Sequence, residues 1–294
     1  MRIGILLLIL SVLTTPFWGI DIEDQGLIFS NYPETIRQTG VVYNGELDWE
    51  RTRFSYYHKN GMKKTLYYSI LIQNMSDTTA TVNITYAAGY PNKEGLAVGH
   101  QTTYHYLKKL RKNTSKMIRL EANEARKVHL SSFGPNSVIC GILRLKKSKQ
   151  ARIKLDVAVL KSQQDTLSRI KTAAPYFTCG VYQDPQFQID AKFDFSIPIY
   201  KIKVGGQPFL VDIFSEKPLK GNYAAAYIIQ TQLYNKFDTP ITVDIFFSPS
   251  AGAARGSFMI DNKLVQNNRE KNYVNIKPEK LMTYHLKPQE IRDI

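Results

Sequence analysis

The residues of this chain best suited to chemistry are its histidines and two runs of lysine and arginine. His100 and His105 fall in LAVGHQTTYHYLKKLRK, with His58 upstream in FSYYHKNG. Imidazole is a good ligand for zinc or copper. Ligands sharing a helix face stand three or four residues apart, however, and these two stand five apart. No metal site and no cofactor is assigned. The basic runs are KKLRKNTSK (Lys108–Lys116) and RLKKSKQARIK (Arg144–Lys154). Within them Lys108, Lys109, Arg111, Lys112, Lys146 and Lys147, together with Tyr104 and Tyr106, form a candidate binding patch. Cationic side chains hold an acidic polymer by charge, and tyrosine rings stack on sugars. The plainer reading is that lysines on edge strands block edge-to-edge pairing.

Other constellations carry less. SPSAGAARG (Ser248–Gly256) is glycine-rich, but a strand-like SFMID follows it, and a phosphate cradle needs a helix there. Asp77 and Asp238 fall in matching turns and read as turn-capping residues rather than as an acid pair. No GxSxG elbow or HExxH helix is present, so no catalytic residue is assigned. Cys140 and Cys179 lack the CxxC spacing of a redox pair. Export would permit a disulfide between them, and two buried thiols are the alternative. NMS, NIT and NTS place glycosylation acceptors at Asn74, Asn83 and Asn113.

Arg2 precedes an apolar run, Ile3–Leu13, and a small residue follows at Gly19. This is the pattern of a secretory signal peptide over residues 1–20. The run is too short to span a bilayer as a helix, so membrane association would come only through an uncleaved N-terminal segment. The expected location is secreted or cell-envelope. With 39 basic and 25 acidic residues, the chain carries a formal charge of +14. For an exported protein this points to anionic cell-wall polymer or an envelope protein as partner, and away from nucleic acid.

The elements around these residues read as strands. Tyrosine and phenylalanine are abundant, and apolar residues alternate with polar ones along Leu66–Ile72 and Phe187–Phe195. Asn60-Gly61 is the signal of a type I′ hairpin turn, and Asp261-Asn262 turns a later pair of strands. Tyr104, Leu107 and Leu110 recur at helical intervals before a basic end, which predicts one short amphipathic helix over Leu96–Lys112.

The chain also repeats itself. Leu66–Gly95 aligns with Tyr227–Gly256 at a constant offset of 161 (Asn235 against Asn74), with Asp77, Thr78, Thr81, Val82 and Ile84 matched. A second match sets Met117–Leu130 against Tyr273–Leu286, at an offset of 156 (His285 against His129). The reading is all-β: two tandem antiparallel β-sandwiches of immunoglobulin-like character, with the helix inserted in the first. The expected divisions are 21–162, a linker at 163–175, and 176–294. The second copy comes out about two strands short. A sequence that stops early is the favoured reading; a smaller domain and an edge filled by another strand are the others.

YPETIRQTGVVYNGELDWERTRFSYYHKNG, LAVGHQTTYHYL and GNYAAAYIIQTQLYNKFDTPITVDIFFSPSAGAARGSFMIDNKLV resemble a family of uncharacterised exported bacterial proteins. Some members are fused to copper amine oxidase-like domains. The resemblance implies a tandem sandwich and a bacterial envelope setting, in which the glycosylation acceptors are chance matches. It implies no enzymatic activity, since a modifiable tyrosine with three copper-binding histidines is not recognisable. The leading expectation is a non-enzymatic envelope or surface protein that binds anionic polymers or partner proteins. The alternative is an accessory domain of an envelope-associated, metal-linked enzyme.

Overall fold

The structure is a computed structural model that describes residues 2–6, 23–165, 176–249, 254–267 and 278–294, the first of these as backbone alone. The N-terminal strand is β1 (Arg2–Leu6). There follow β2 (Gly26–Tyr32), β3 (Thr35–Ile36), β4 (Gly40–Glu46), β5 (Arg51–Asn60), β6 (Leu66–Asn74) and β7 (Ala80–Ala88). Helix α1 (Gly95–Arg111) precedes β8 (Lys116–Leu120), β9 (Ala125–Phe133), β10 (Val138–Lys147), β11 (Ile153–Leu160) and β12 (Thr178–Gln183). Then come β13 (Gln186–Phe193), β14 (Ile199–Lys201), β15 (Ala226–Tyr234), β16 (Ile241–Phe247), β17 (Ser257–Ile260), β18 (Lys263–Gln266), β19 (Glu279–Leu286) and β20 (Ile291–Asp293). The protein is all-β with one helix among the described residues.

Two compact units result. The first holds Glu23–Pro185 and Leu210–Pro218; the second holds β1, Gln186–Phe209 and Leu219–Ile294. The first is a sandwich of two sheets, ordered β12-β2-β5-β10-β7-β8 and β4-β11-β6-β9, with β3 paired to β5. Inward residues at every second position fill its core, among them Phe54, Tyr56, Tyr68, Ile70, Leu143 and Val157. This unit runs past the expected boundary at 175, because β12 pairs with β2 and buries Val181 in the first core. Most of the expected linker, residues 166–175, lies outside the described residues, as do residues 7–20 of the expected leader.

The second unit repeats part of this plan. Sheets β14-β1-β16-β19 and β13-β15-β20 enclose Phe193, Ile229, Val243, Ile245 and Leu286. The β17–β18 hairpin turns at Asp261 and Asn262, both at positive φ (51° and 62°), as a type I′ turn requires. In the first sandwich β10 lies beside β7, and β11 beside β6. The corresponding sides of β16 and β15 are taken by β1 and β13, both running parallel to their neighbours. In this structure the corresponding edges are occupied by β13 and by β1, which is residues 2–6 of the expected leader.

The structure corrects three local expectations. The strands flanking Asn60-Gly61 do not form a hairpin: β5 pairs with β10, β2 and β3, and β6 with β11 and β9. The chain crosses from one sheet to the other there. Glycine is needed at 61 for closeness, since a Cβ would come within 3.0 Å of the Ile36 carbonyl oxygen. The turns following Asn74 and Asn235 are crossings of the same kind. The second sequence match also shifts. β19, which carries His285, pairs with β16 as β8 pairs with β7. Leu286 therefore corresponds to Leu120, an offset of 166, and His285 does not correspond to His129.

Each of the three crossings is closed by a buried asparagine in the same way. The Asn74 amide donates to the carbonyls of Thr78 (2.7 Å), Leu120 (3.3 Å) and Glu121 (3.1 Å), and its oxygen accepts from Ser76 N (3.0 Å). Asn235 donates to Thr239, Leu286 and Lys287 and accepts from Phe237 N. Asn60 donates to Lys64 and Phe133 and accepts from Met62 N. The asparagines cap the turns, not Asp77 and Asp238. Asn74 is fully buried and so closed to glycosylation.

Candidate functional site

Helix α1 begins at Gly95 and packs on the outer face of β7 and β10. Val98, Thr102 and Tyr106, at intervals of four, lead its buried stripe, joined by Leu107 and Leu110. The Thr102 hydroxyl accepts from Gly89 N (2.8 Å) and lies 2.9 Å from the Cys140 carbonyl, fixing the helix to both strands. The last turn is basic, with Lys108, Lys109 and Arg111 facing the helix's negative end.

That end leads into a cleft of about 270 Å³ between β7, β8 and β9. Ile84, Ile118 and Val128 form its apolar floor. Lys109, Lys116, Arg126 and Lys127 surround it, and no Asp or Glu lines it. β8 is short, pairing with β7 only as far as Ile84, so the sandwich is open beyond that point. On the far side Val128 is an extra residue in β9: Ile70 pairs with His129 and Leu71 with Lys127. Such a bulge bends the strand and re-aims neighbouring side chains. Lys109 donates to the Tyr86 carbonyl, and Arg126 is paired with Glu124. Lys116 and Lys127 make no ion pair among the described residues. Ser115 and Thr114 add hydroxyl groups to the lining.

Behind the cleft runs a hydrogen-bonded relay. The Tyr86 hydroxyl lies 2.8 Å from both His129 Nε2 and the Tyr56 hydroxyl. Burial holds His129 down at about 4, and burial likewise pushes Tyr86 well above the usual tyrosine range. Both groups are therefore neutral at pH 7. The relay places an unprotonated imidazole and a protonated phenol at hydrogen-bond distance behind the cleft.

The predicted patch is brought together only in part. Lys108, Arg111 and Lys112 are exposed at the helix end beside the cleft, and Lys109 lines it. Lys108 Nζ sits 5.9 Å from the Tyr104 ring centre. Tyr106 is buried, on the opposite side of the helix from the one expected. It faces Asp24, Arg53 and Arg144, and burial and the nearby Asp24 push it up to about 12. Lys146 is exposed on β10, but Lys147 turns inward and donates to the Ala151 carbonyl (2.7 Å). Arg126 and Lys127, which the sequence reading missed, complete the cleft in place of Lys147.

The histidines do not converge. His58 is buried in the core at 2.9 Å from the Ser30 hydroxyl and 3.0 Å from the Pro33 carbonyl. His105 donates from Nδ1 to the Ala88 carbonyl (3.0 Å). Among the described residues no three His, Cys, Asp or Glu side chains are grouped to hold a metal ion. Cys140 and Cys179 are both thiols, raised to about 11 mainly by burial. They lie on β10 and β12, with β5 and β2 between them, so three strand spacings separate them by roughly 14 Å. A disulfide tolerates about 7 Å between Cα atoms, so of the two alternatives the bridge is excluded and the pair of thiols stands. The Ser248–Gly256 loop lies partly outside the described residues, and no described helix is long and apolar enough to cross a membrane.

No family model, curated protein or solved structure matches this chain. The reading of the cleft therefore rests on its own geometry.

Proposed function

We propose that this chain is an exported, non-enzymatic envelope or surface protein whose first sandwich binds anionic polymers. The observation that carries the reading is the cleft between β7, β8 and β9. Four cations line it without a carboxylate, and two of them, Lys116 and Lys127, make no ion pair among the described residues. The exposed Lys108, Arg111 and Lys112 extend the positive surface beyond its mouth, which suits a chain of repeated phosphate or carboxylate groups better than one small anion. The alternative of an accessory domain for a metal-linked enzyme has no comparable support.

The test is retention on an immobilised polyphosphate column across a salt gradient. Retention at low ionic strength should fall steeply as salt rises. The doubly substituted chain Lys116→Glu, Lys127→Glu should lose at least tenfold in affinity with unchanged thermal unfolding. Retention that is independent of salt, or equal for the substituted chain, would overturn the reading.

A further inference from the structure

A second depression in the first sandwich has the opposite electrical character. It holds about 300 Å³ beside the end of β4. Three rings wall it: Tyr43 and Trp49, both half-buried, and Phe214, which is 75% exposed. Its charged lining residues are Glu46 and Asp48, with no Lys, Arg or His among them. In a chain of charge +14 this is a local inversion of sign.

The polar groups are unequally committed. Arg152 holds Glu46 through two hydrogen bonds of 2.9 Å. Asn44 gives its amide to Asp156. Asp48 is exposed and makes no ion pair among the described residues, and it lies close enough to Tyr43 to help raise the phenol. The rings, by contrast, are held in place. Trp49 packs against Gly26, where a Cβ would come within 1.9 Å of the indole. Phe214 is carried by a segment tied to β12: Asp212 accepts from the backbone N–H groups of Val181 (2.6 Å), Phe214 (3.1 Å) and Ser215 (2.6 Å), and Ile213 N donates to the Val181 carbonyl (2.9 Å). Phe214 thus presents its ring to solvent from an anchored backbone.

We propose that this pocket binds an organic ammonium group, with the faces of Tyr43, Trp49 and Phe214 receiving the cation and Asp48 balancing its charge. Ring faces carry negative potential and attract a poorly hydrated cation, and a methylated ammonium is the group that gains most from them. A neutral sugar would stack on the same rings. It would also need several free donors and acceptors, and here the amide and one carboxylate are already engaged. The proposal stands apart from the anionic-polymer reading, since the two sites share no residue.

The experiment titrates choline into the full chain carrying Trp18→Phe, so that Trp49 is the sole indole. The neutral isostere 3,3-dimethyl-1-butanol and N-acetylglucosamine are titrated in parallel. Choline should change the Trp49 fluorescence saturably, the isostere should bind at least tenfold more weakly, and the sugar should produce no saturable change. Asp48→Asn and Phe214→Ala, both at exposed positions, should each weaken choline by about tenfold without shifting thermal unfolding. No saturable response to choline, equal affinity for the neutral isostere, saturable binding of the sugar, or full affinity in Asp48→Asn would each overturn the proposal.

Discussion

Asn74 and Asn235 stand at the same place in the two sandwiches and make the same bonds, whereas Tyr86 and its counterpart Phe247 differ by a hydroxyl. In the first sandwich that hydroxyl joins Tyr56 to His129 beneath a basic cleft. In the second, β20 pairs with β15 through Ile291–Asp293, and Ile294 continues the pairing against Thr231, where the first sandwich has the bulge at Val128. The crossings are shared because every buried carbonyl and amide there needs a partner, whatever the protein binds. Among the described residues, the bulge at Val128, the relay and helix α1 belong to the first copy alone. The difference teaches that the fold is kept in the duplicated turns and the chemistry in what was added between them.

The comparison can be broken most severely at Asp24. Its carboxylate, 1% exposed, lies 3.2 Å from Arg53 and 2.6 Å from Arg144, and no such buried trio stands in the described part of the second unit. Asp24→Asn leaves two buried guanidinium groups without their counter-charge and should destabilise the first sandwich by about 4 kcal/mol. Hydrogen exchange read peptide by peptide should show β5 and β10 deprotected and β15 and β16 unchanged.

Acid should separate the two units next. Burial lowers His58 and His129 from 6.5 to about 4 in the folded state. Between those values the unfolded chain takes up protons that the native chain refuses, so stability is full above pH 6.5 and is lost as pH falls toward 4. The loss is at most about 3 kcal/mol for His58. The second unit, whose only histidine is the exposed His285, should show no matching loss over that range. Equal acid sensitivity of both units, or retention of the full effect in His58→Gln, would contradict the assignment.

Asn74→Ala and Asn235→Ala should cost each sandwich a similar amount, about 2–3 kcal/mol, since each leaves buried carbonyls unpaired. Unequal costs in denaturant unfolding would show that the shared geometry hides unequal energetics. Tyr86→Phe copies the second sandwich into the first and should cost about 1 kcal/mol. Its sharper readout is the His129 imidazole by NMR, which loses its hydroxyl partner while polyphosphate retention persists.

Much of this was legible in the sequence, but unevenly. Alternation over Leu66–Ile72 and the offset of 161 announced duplicated sandwiches, and Leu107 with Leu110 announced the helix. Leu107 and Leu110 are buried as their spacing implied, whereas Tyr104 is not. Its ring lies instead along the Lys108 side chain, and Val98, Thr102 and Tyr106 set the buried stripe. Asn60-Gly61 carried a local turn signal that tertiary pairing overrode. The mistaken match of His285 to His129 followed from the period of two itself, since alternating strands resemble one another at many registers. Two of the cleft's four cations, Lys109 and Lys116, lay in the run Lys108–Lys116. Arg126 and Lys127 could not be joined to it without knowing that β9 bulges at Val128.

The asparagine crossings also bear on how the chain reaches its native state. Each clamp reads only carbonyls and one N–H, so the Leu120–Glu121 turn and the Leu286–Lys287 turn present near-identical receptors to either asparagine. A chain refolding from denaturant can dock β7 against β19, or β16 against β8, before the side chains that distinguish the copies have packed. Tandem copies with interchangeable docking points are prone to such kinetic traps. Divergence of the residues that follow, Thr85 through Ala88 against Phe246 through Pro249, is then a means by which the chain tells its own two halves apart.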